Sequence, residues 1–184
     1  MTFVKFFLFS SAIAISATAA ASTLSVGSGP ARICFLATES ENRPSADQIQ
    51  QCDIALNEAG LGSYETVATY VNRGVLQVRR GQVELGLADF DRAIALDANE
   101  PEAYLNKGSA MVRLGQPQEA LPLFSMALDK KTRKPAVAYY GRAVAHEETG
   151  NARMAYLDYR RAMQADPKWA QPRQEMSRFR VSPR

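Results

Sequence analysis

Tyr70-Val71-Asn72-Arg73-Gly74, Tyr104-Leu105-Asn106-Lys107-Gly108 and Tyr139-Tyr140-Gly141-Arg142-Ala143 are three versions of one pentapeptide, set 34 and 35 residues apart. The same intervals separate Gly81, Gly115 and Gly150, then Phe90, Phe124 and Tyr159, then Ala93, Ala127 and Ala162. Four columns agreeing at one period define a tandem array, and that outranks any isolated motif. The longer second interval places one extra residue within Asp129–Pro135, a polar, proline-ended stretch of the kind that tolerates insertion on a surface.

Each period reads as two helices. A helical pattern through Tyr70 stops near Gly81, and a second runs from Val83 to Leu96 with Leu87, Phe90, Ala93 and Ile94 along one face. Pro101 suits a first helical turn, with Asn99 and Glu102 spaced as a capping box. Pro117 suits the start of the next helix, and Asn151, directly after Gly150, suits an N-cap. Small residues in shared columns (Gly74, Gly108 and Ala143; Ala93, Ala127 and Ala162) let paired helices approach, and Phe90, Phe124 and Tyr159 fill the space between. Arg73 and Asp89, like Arg142 and Asp158, are expected to form ion pairs within their units; Leu123 removes the acid from the second unit.

These units, roughly 67–169, resemble tetratricopeptide repeats, most closely the bacterial Tyr-x-Asn-Arg-Gly variety; the third unit departs at Gly141 and Ala143. The resemblance implies an all-α solenoid of helical hairpins with repeats at 67–100, 101–135 and 136–169. A capping box at Ser45 and Gln48 opens an N-terminal helix, a degenerate half-repeat within 45–66, after a flexible linker over 22–44. Residues 170–184 are expected to form a capping helix and tail, Trp169, Met176 and Phe179 lidding the third unit. The resemblance further implies a concave groove lined by the first helix of each pair. By column this brings Asn72, Val75, Arg79, Asn106, Ser109, Arg113 and Tyr140 to a peptide or protein partner. Asparagine amides donate and accept toward a ligand backbone, and Arg79 and Arg113 suit carboxylates. Packing within the protein is the competing role for the asparagines and valines. The family's carboxylate-clamping mode does not transfer, because Asn106 alone matches among Val71, Val75, Asn106, Val137 and Gly141.

The opening of the chain is a signal-peptide pattern. A basic start through Lys5 precedes an apolar run, Phe6–Ile15, too short to span a bilayer, and cleavage after Ala21 or Ala19 follows the small residues there. The expected signal peptide is 1–21, with no lipoprotein cysteine behind it, and the expected location is the bacterial periplasm. Cys34 and Cys52, 18 positions apart, then read as one disulfide, with two buried thiols as the alternative.

Composition narrows the function. The chain has 184 residues, 46% hydrophobic and 22% charged, with net charge +3, one histidine and two cysteines. That argues against a metal centre and against nucleic acid as partner. No nucleophile, base and orienting group stand out, no phosphate loop appears, and His146 falls in a column facing its partner helix. The expectation is an exported scaffold that is not an enzyme and has no cofactor. The alternative is an envelope-associated structural protein. Residues 160–184 carry seven basic against two acidic residues, a net +5 suited to weak contact with anionic polymer or lipid.

Overall fold

The computed structural model describes residues 29–40, 42–58 and 60–179, with nothing stated of the Glu58 side chain. The expected signal peptide, the first part of the linker and residues 180–184 lie outside the described residues. Among the described residues there are nine helices: α1 Gly29–Glu39, α2 Ala46–Glu58, α3 Ser63–Arg80, α4 Val83–Leu96, α5 Pro101–Arg113, α6 Pro117–Asp129, α7 Pro135–Glu148, α8 Ala152–Ala165 and α9 Ala170–Met176. Each odd helix from α1 to α7 packs on its successor. Each of α3, α5 and α7 also packs on both helices of the preceding pair. The result is an all-α hairpin solenoid, closed at its C-terminal end by α9 against α8.

Local chemistry sets the boundaries. Gly81, Gly115 and Gly150 stop the first helices in left-handed conformations, with φ of 89°, 70° and 78°. Ser45 Oγ accepts the Gln48 N–H at 3.2 Å and Gln48 Oε1 accepts the Ser45 N–H at 2.8 Å, the reciprocal box the sequence predicts. The expected box at Asn99 and Glu102 is not formed. Glu100 caps α5 instead, its Oε1 accepting the Glu102 N–H at 3.0 Å, while the Glu102 carboxylate turns toward the loop after α6.

Part of the expected linker over 22–44 is a helix. α1 pairs with α2, so a fourth hairpin precedes the three repeats where a half-repeat was expected. Ala31, Cys34 and Ala37 form its buried face. The hairpin lacks the tyrosine and glycine columns, and a different contact holds it. In the repeats a small residue of the first helix meets an aromatic of the second: a Cβ on Gly74 would lie 2.6 Å from the Phe90 ring, and one on Gly108 3.1 Å from that of Phe124. In the N-terminal pair a disulfide joins Cys34 to Cys52, both fully buried, with Cα atoms 4.9 Å apart. Cys52 stands three residues before the buried Ala55, as Phe90 stands before Ala93. Phe90 shares its apolar cluster with Ala110, whereas Cys52 shares one with Leu76, the residue in the Ala110 column. The larger leucine fills what the smaller sulfur bridge leaves.

The repeats' own departures follow from packing. A Cβ at position 141 would run into the Phe124 ring, so the third unit has glycine where the others have asparagine. At the C-terminal end Trp169, Met176 and Phe179 pack on the last cluster, as expected, with Trp169 4.9 Å from the Tyr140 ring and Phe179 5.9 Å from that of Tyr159.

Two stability measurements test this account. Reducing the disulfide, or replacing Cys34 and Cys52 by serine, should lower unfolding stability by about 3 kcal/mol. Amide exchange should speed selectively in α1 and α2 while the three repeats keep their protection. Gly86→Ala should cost about 2 kcal/mol in urea denaturation. Its Cβ would stand 2.5 Å from Val78 Cγ2 and 2.8 Å from the Gly74 carbonyl oxygen, which is backbone and cannot swing aside. Gly108→Ala should cost less, about 1 kcal/mol: its Cβ would stand 3.1 Å from the buried Phe124 ring, which Gly141 backs on the other side, and helix propensity offsets part of the crowding.

Candidate functional site

The first helices were expected to present seven residues to a partner, and the structure divides them. Asn72 is fully buried, Val75 is 5% exposed, Asn106 5% and Tyr140 2%. Asn106 Nδ2 donates to its own helix, at the Glu102 carbonyl 2.9 Å away. Tyr140 lies beneath Trp169, and its hydroxyl accepts from Gln171 Nε2 at 2.9 Å. These four are withdrawn from ligand contact. Val75 is buried in one apolar cluster with Phe90 of its own pair and Ala110 of the next, and the segment around α9 covers Tyr140. Arg79 is also turned inward, donating to the carbonyls of Thr38 (2.9 Å), Ser40 and Asn42 (3.0 Å). With Arg80, which reaches the Pro44 carbonyl at 2.9 Å, it ties the loop between α1 and α2 to the end of α3.

Ser109 is half-buried, its hydroxyl donating to the Leu105 carbonyl at 3.0 Å, and Arg113 is exposed. Glu148, in the Arg113 column of the next pair, is also largely exposed; partial desolvation of its carboxyl and the neighbouring Glu147 raise its pKa. A polar strip of both charges thus runs over the C-terminal ends of α5 and α7. Glu147, half-buried beside it, accepts from Tyr159 Oη at 2.9 Å and from Arg178 at 3.0 Å. His146 is half-buried with Nδ1 bonded to nothing, and burial lowers its pKa below the usual imidazole value.

A ladder of charge holds this strip in register. Arg73 donates to both Asp89 oxygens, at 2.8 and 2.6 Å, and to Asp53 of the preceding pair at 2.7 Å. Arg142 does the same with Asp158, at 2.7 and 3.1 Å, and with Ser125 of the preceding pair at 2.9 Å. Both expected ion pairs are therefore present. Lys107, opposite Leu123, turns wholly to the preceding pair and bonds Asp91. Leu123 offers no acceptor, so only the bond to the preceding pair is left for the Lys107 ammonium to make. Burial works against the charge on Arg73, but Asp89 and Asp53 outweigh it and raise its pKa; burial likewise pushes the Asp89 carboxyl up. The column of Asp53, Asp91 and Ser125 is the half that sequence reasoning missed, since seeing it requires placing α2 in the array.

The C-terminal charge is partly internal. Arg161 bonds Asp158 at 2.7 Å and Arg178 bonds Glu147 and Glu175, which leaves less of it for an anionic surface.

This geometry defines a helical-hairpin scaffold, and comparison with known proteins places it. Residues 136–168 match the family model of the tetratricopeptide repeat. No curated protein matches the chain. Among solved structures, the Arabidopsis OM64 TPR domain aligns with TM-score 0.61 and 24% identity over 65% of this chain and 98% of that one. The first TPR domain of human RPAP3 aligns at 0.59 and 20% over 63% and 90%. YrrB, described as a TPR protein with an unusual peptide-binding site, aligns at 0.60 and 22% over 71% and 65%. The chain has the tetratricopeptide-repeat fold and carries a repeat of that family at its C-terminal end.

The ladder makes a quantitative prediction. Arg142→Ala should cost about 3 kcal/mol in chemical denaturation, because it leaves the fully buried Asp158 with only Arg161, itself 44% exposed. Adding Asp158→Asn should recover part of that loss.

Proposed function

We propose that the protein is an exported adaptor that binds a protein or peptide segment, working in the bacterial periplasm. The carrying observation is the polar strip of Ser109, Arg113 and Glu148, offered side by side on successive first helices and held rigid by the ion-pair ladder. A rigid surface loses little entropy on binding an extended segment. Likeness of fold to a protein with a peptide-binding site supports the reading. The buried disulfide supports an oxidising compartment.

Photo-crosslinking from position 113 tests it, with the exposed Glu84 of α4 as the control position. In a periplasmic extract the reading expects a discrete protein adduct from 113, none from 84, and its loss when Glu148→Lys is added. Equal labelling from the two positions would overturn it.

A further inference from the structure

The second and third pairs close their ends differently. The Glu102 carboxylate, fully buried, accepts from Thr132 Oγ1 at 2.8 Å and from the Arg133 N–H at 2.8 Å. Those bonds draw the loop after α6 over the start of α5. In the third pair, the Tyr104 and Tyr139 column puts Val137 where Glu102 stands. The turn bond aligns the two loops: the Lys134 N–H donates to Thr132 Oγ1 at 3.2 Å and the Lys168 N–H to Asp166 Oδ1 at 3.1 Å, which sets Asp166 and Pro167 where Thr132 and Arg133 stand. Valine offers no acceptor, a carboxylate no hydroxyl and proline no N–H. The loop after α8 is not drawn in, and a cleft of about 550 Å³ remains between it and the start of α7.

The cleft has two kinds of lining. Ala136, Val137, Ala165 and the indole of Trp169 make apolar walls, while Arg133, Lys134 and Lys168 stand about it with one acid, Asp166. The Arg133 guanidinium is engaged by the Tyr64 hydroxyl and by the buried Glu100 and Glu102, which raise its pKa, so the charge offered to the cleft is that of the two lysines. Trp169 is held in place by the Tyr140 ring beneath it. The cleft is open to solvent, and its volume is in the range that takes a drug-sized ligand or a few side chains.

We infer that this cleft receives an acidic peptide segment, an apolar side chain entering against Trp169 and its flanking carboxylates meeting Lys134 and Lys168. A bare anion would use the cations and leave the walls idle. A bilayer surface meets protrusions, and this is a recess. The inference rests on reading the chain as a binder of protein segments and gives that partner its chemistry.

Trp169 is the chain's only tryptophan, so intrinsic fluorescence reports on the cleft directly. The test titrates the oxidised protein with a blocked peptide bearing one leucine between glutamates. The expected result is a saturable blue shift whose apparent affinity falls steeply with salt. Lys168→Glu should weaken it roughly tenfold, and Lys168→Arg should restore it. Lys168 is exposed, and far-UV circular dichroism checks that the variants fold. The inference is overturned by no shift at millimolar peptide, by an equal shift with lysines replacing the glutamates, or by indifference to Lys168→Glu. A saturable response to inorganic phosphate or phosphatidylglycerol vesicles, in place of the peptide, would overturn it equally. Arg113 lies at the opposite end of the first helices. Crosslinking there with a silent Trp169 sinks this inference alone, and saturation here without crosslinking at 113 sinks only the strip.

Discussion

Paired helices of this solenoid approach closely enough for a glycine on one to touch an aromatic ring on the other, or for two cysteines to bridge them. Gly74 against Phe90 and Gly108 against Phe124 do this with glycine and phenylalanine. Cys34 and Cys52 do it with a covalent bond. The approach sets the spacing of each pair, and the spacing determines what the next pair meets. Where the second helix contributes Phe90, the next first helix answers with Ala110; where it contributes Cys52, the answer is Leu76. Volume is conserved across the junction although the residues differ, as interiors packed to crystal density require.

The ion-pair ladder joins each repeat pair to the one before it. Arg73, Lys107 and Arg142 each reach back to the preceding pair, and the two arginines also grip their own second helix. Asp158 is fully buried, so its charge is tolerable only with its arginines in place. A ladder that fails when misaligned is a reading device for register, whatever its net contribution to stability.

The surfaces left for binding lie where the repeating rules lapse. Over the middle of the first helices the columns close on one another, and Asn72, Val75, Asn106 and Tyr140 disappear inside. At the helix ends the pattern relaxes. Arg113 and Glu148 remain exposed at one end. At the other, Val137, Asp166 and Pro167 stand in place of Glu102, Thr132 and Arg133, and a cleft lies beside Trp169.

Much of this was legible in the residues alone. Period, hairpin and small-to-aromatic contact recur at fixed intervals, and local geometry enforces them: a helix needs its cap, and two close helices need a small residue where they touch. The Arg73–Asp89 and Arg142–Asp158 pairs and the cysteine bridge were readable for the same reason, each being a charge or thiol with one natural counterpart. The fold's extent and its exposed face were not. α1 has no tyrosine or glycine column, and its docking on α3, with the contacts between successive pairs, decides which first-helix residues meet solvent. Column position states which way a side chain points; what stands in front of it depends on elements distant in sequence, and that the tertiary structure alone decided.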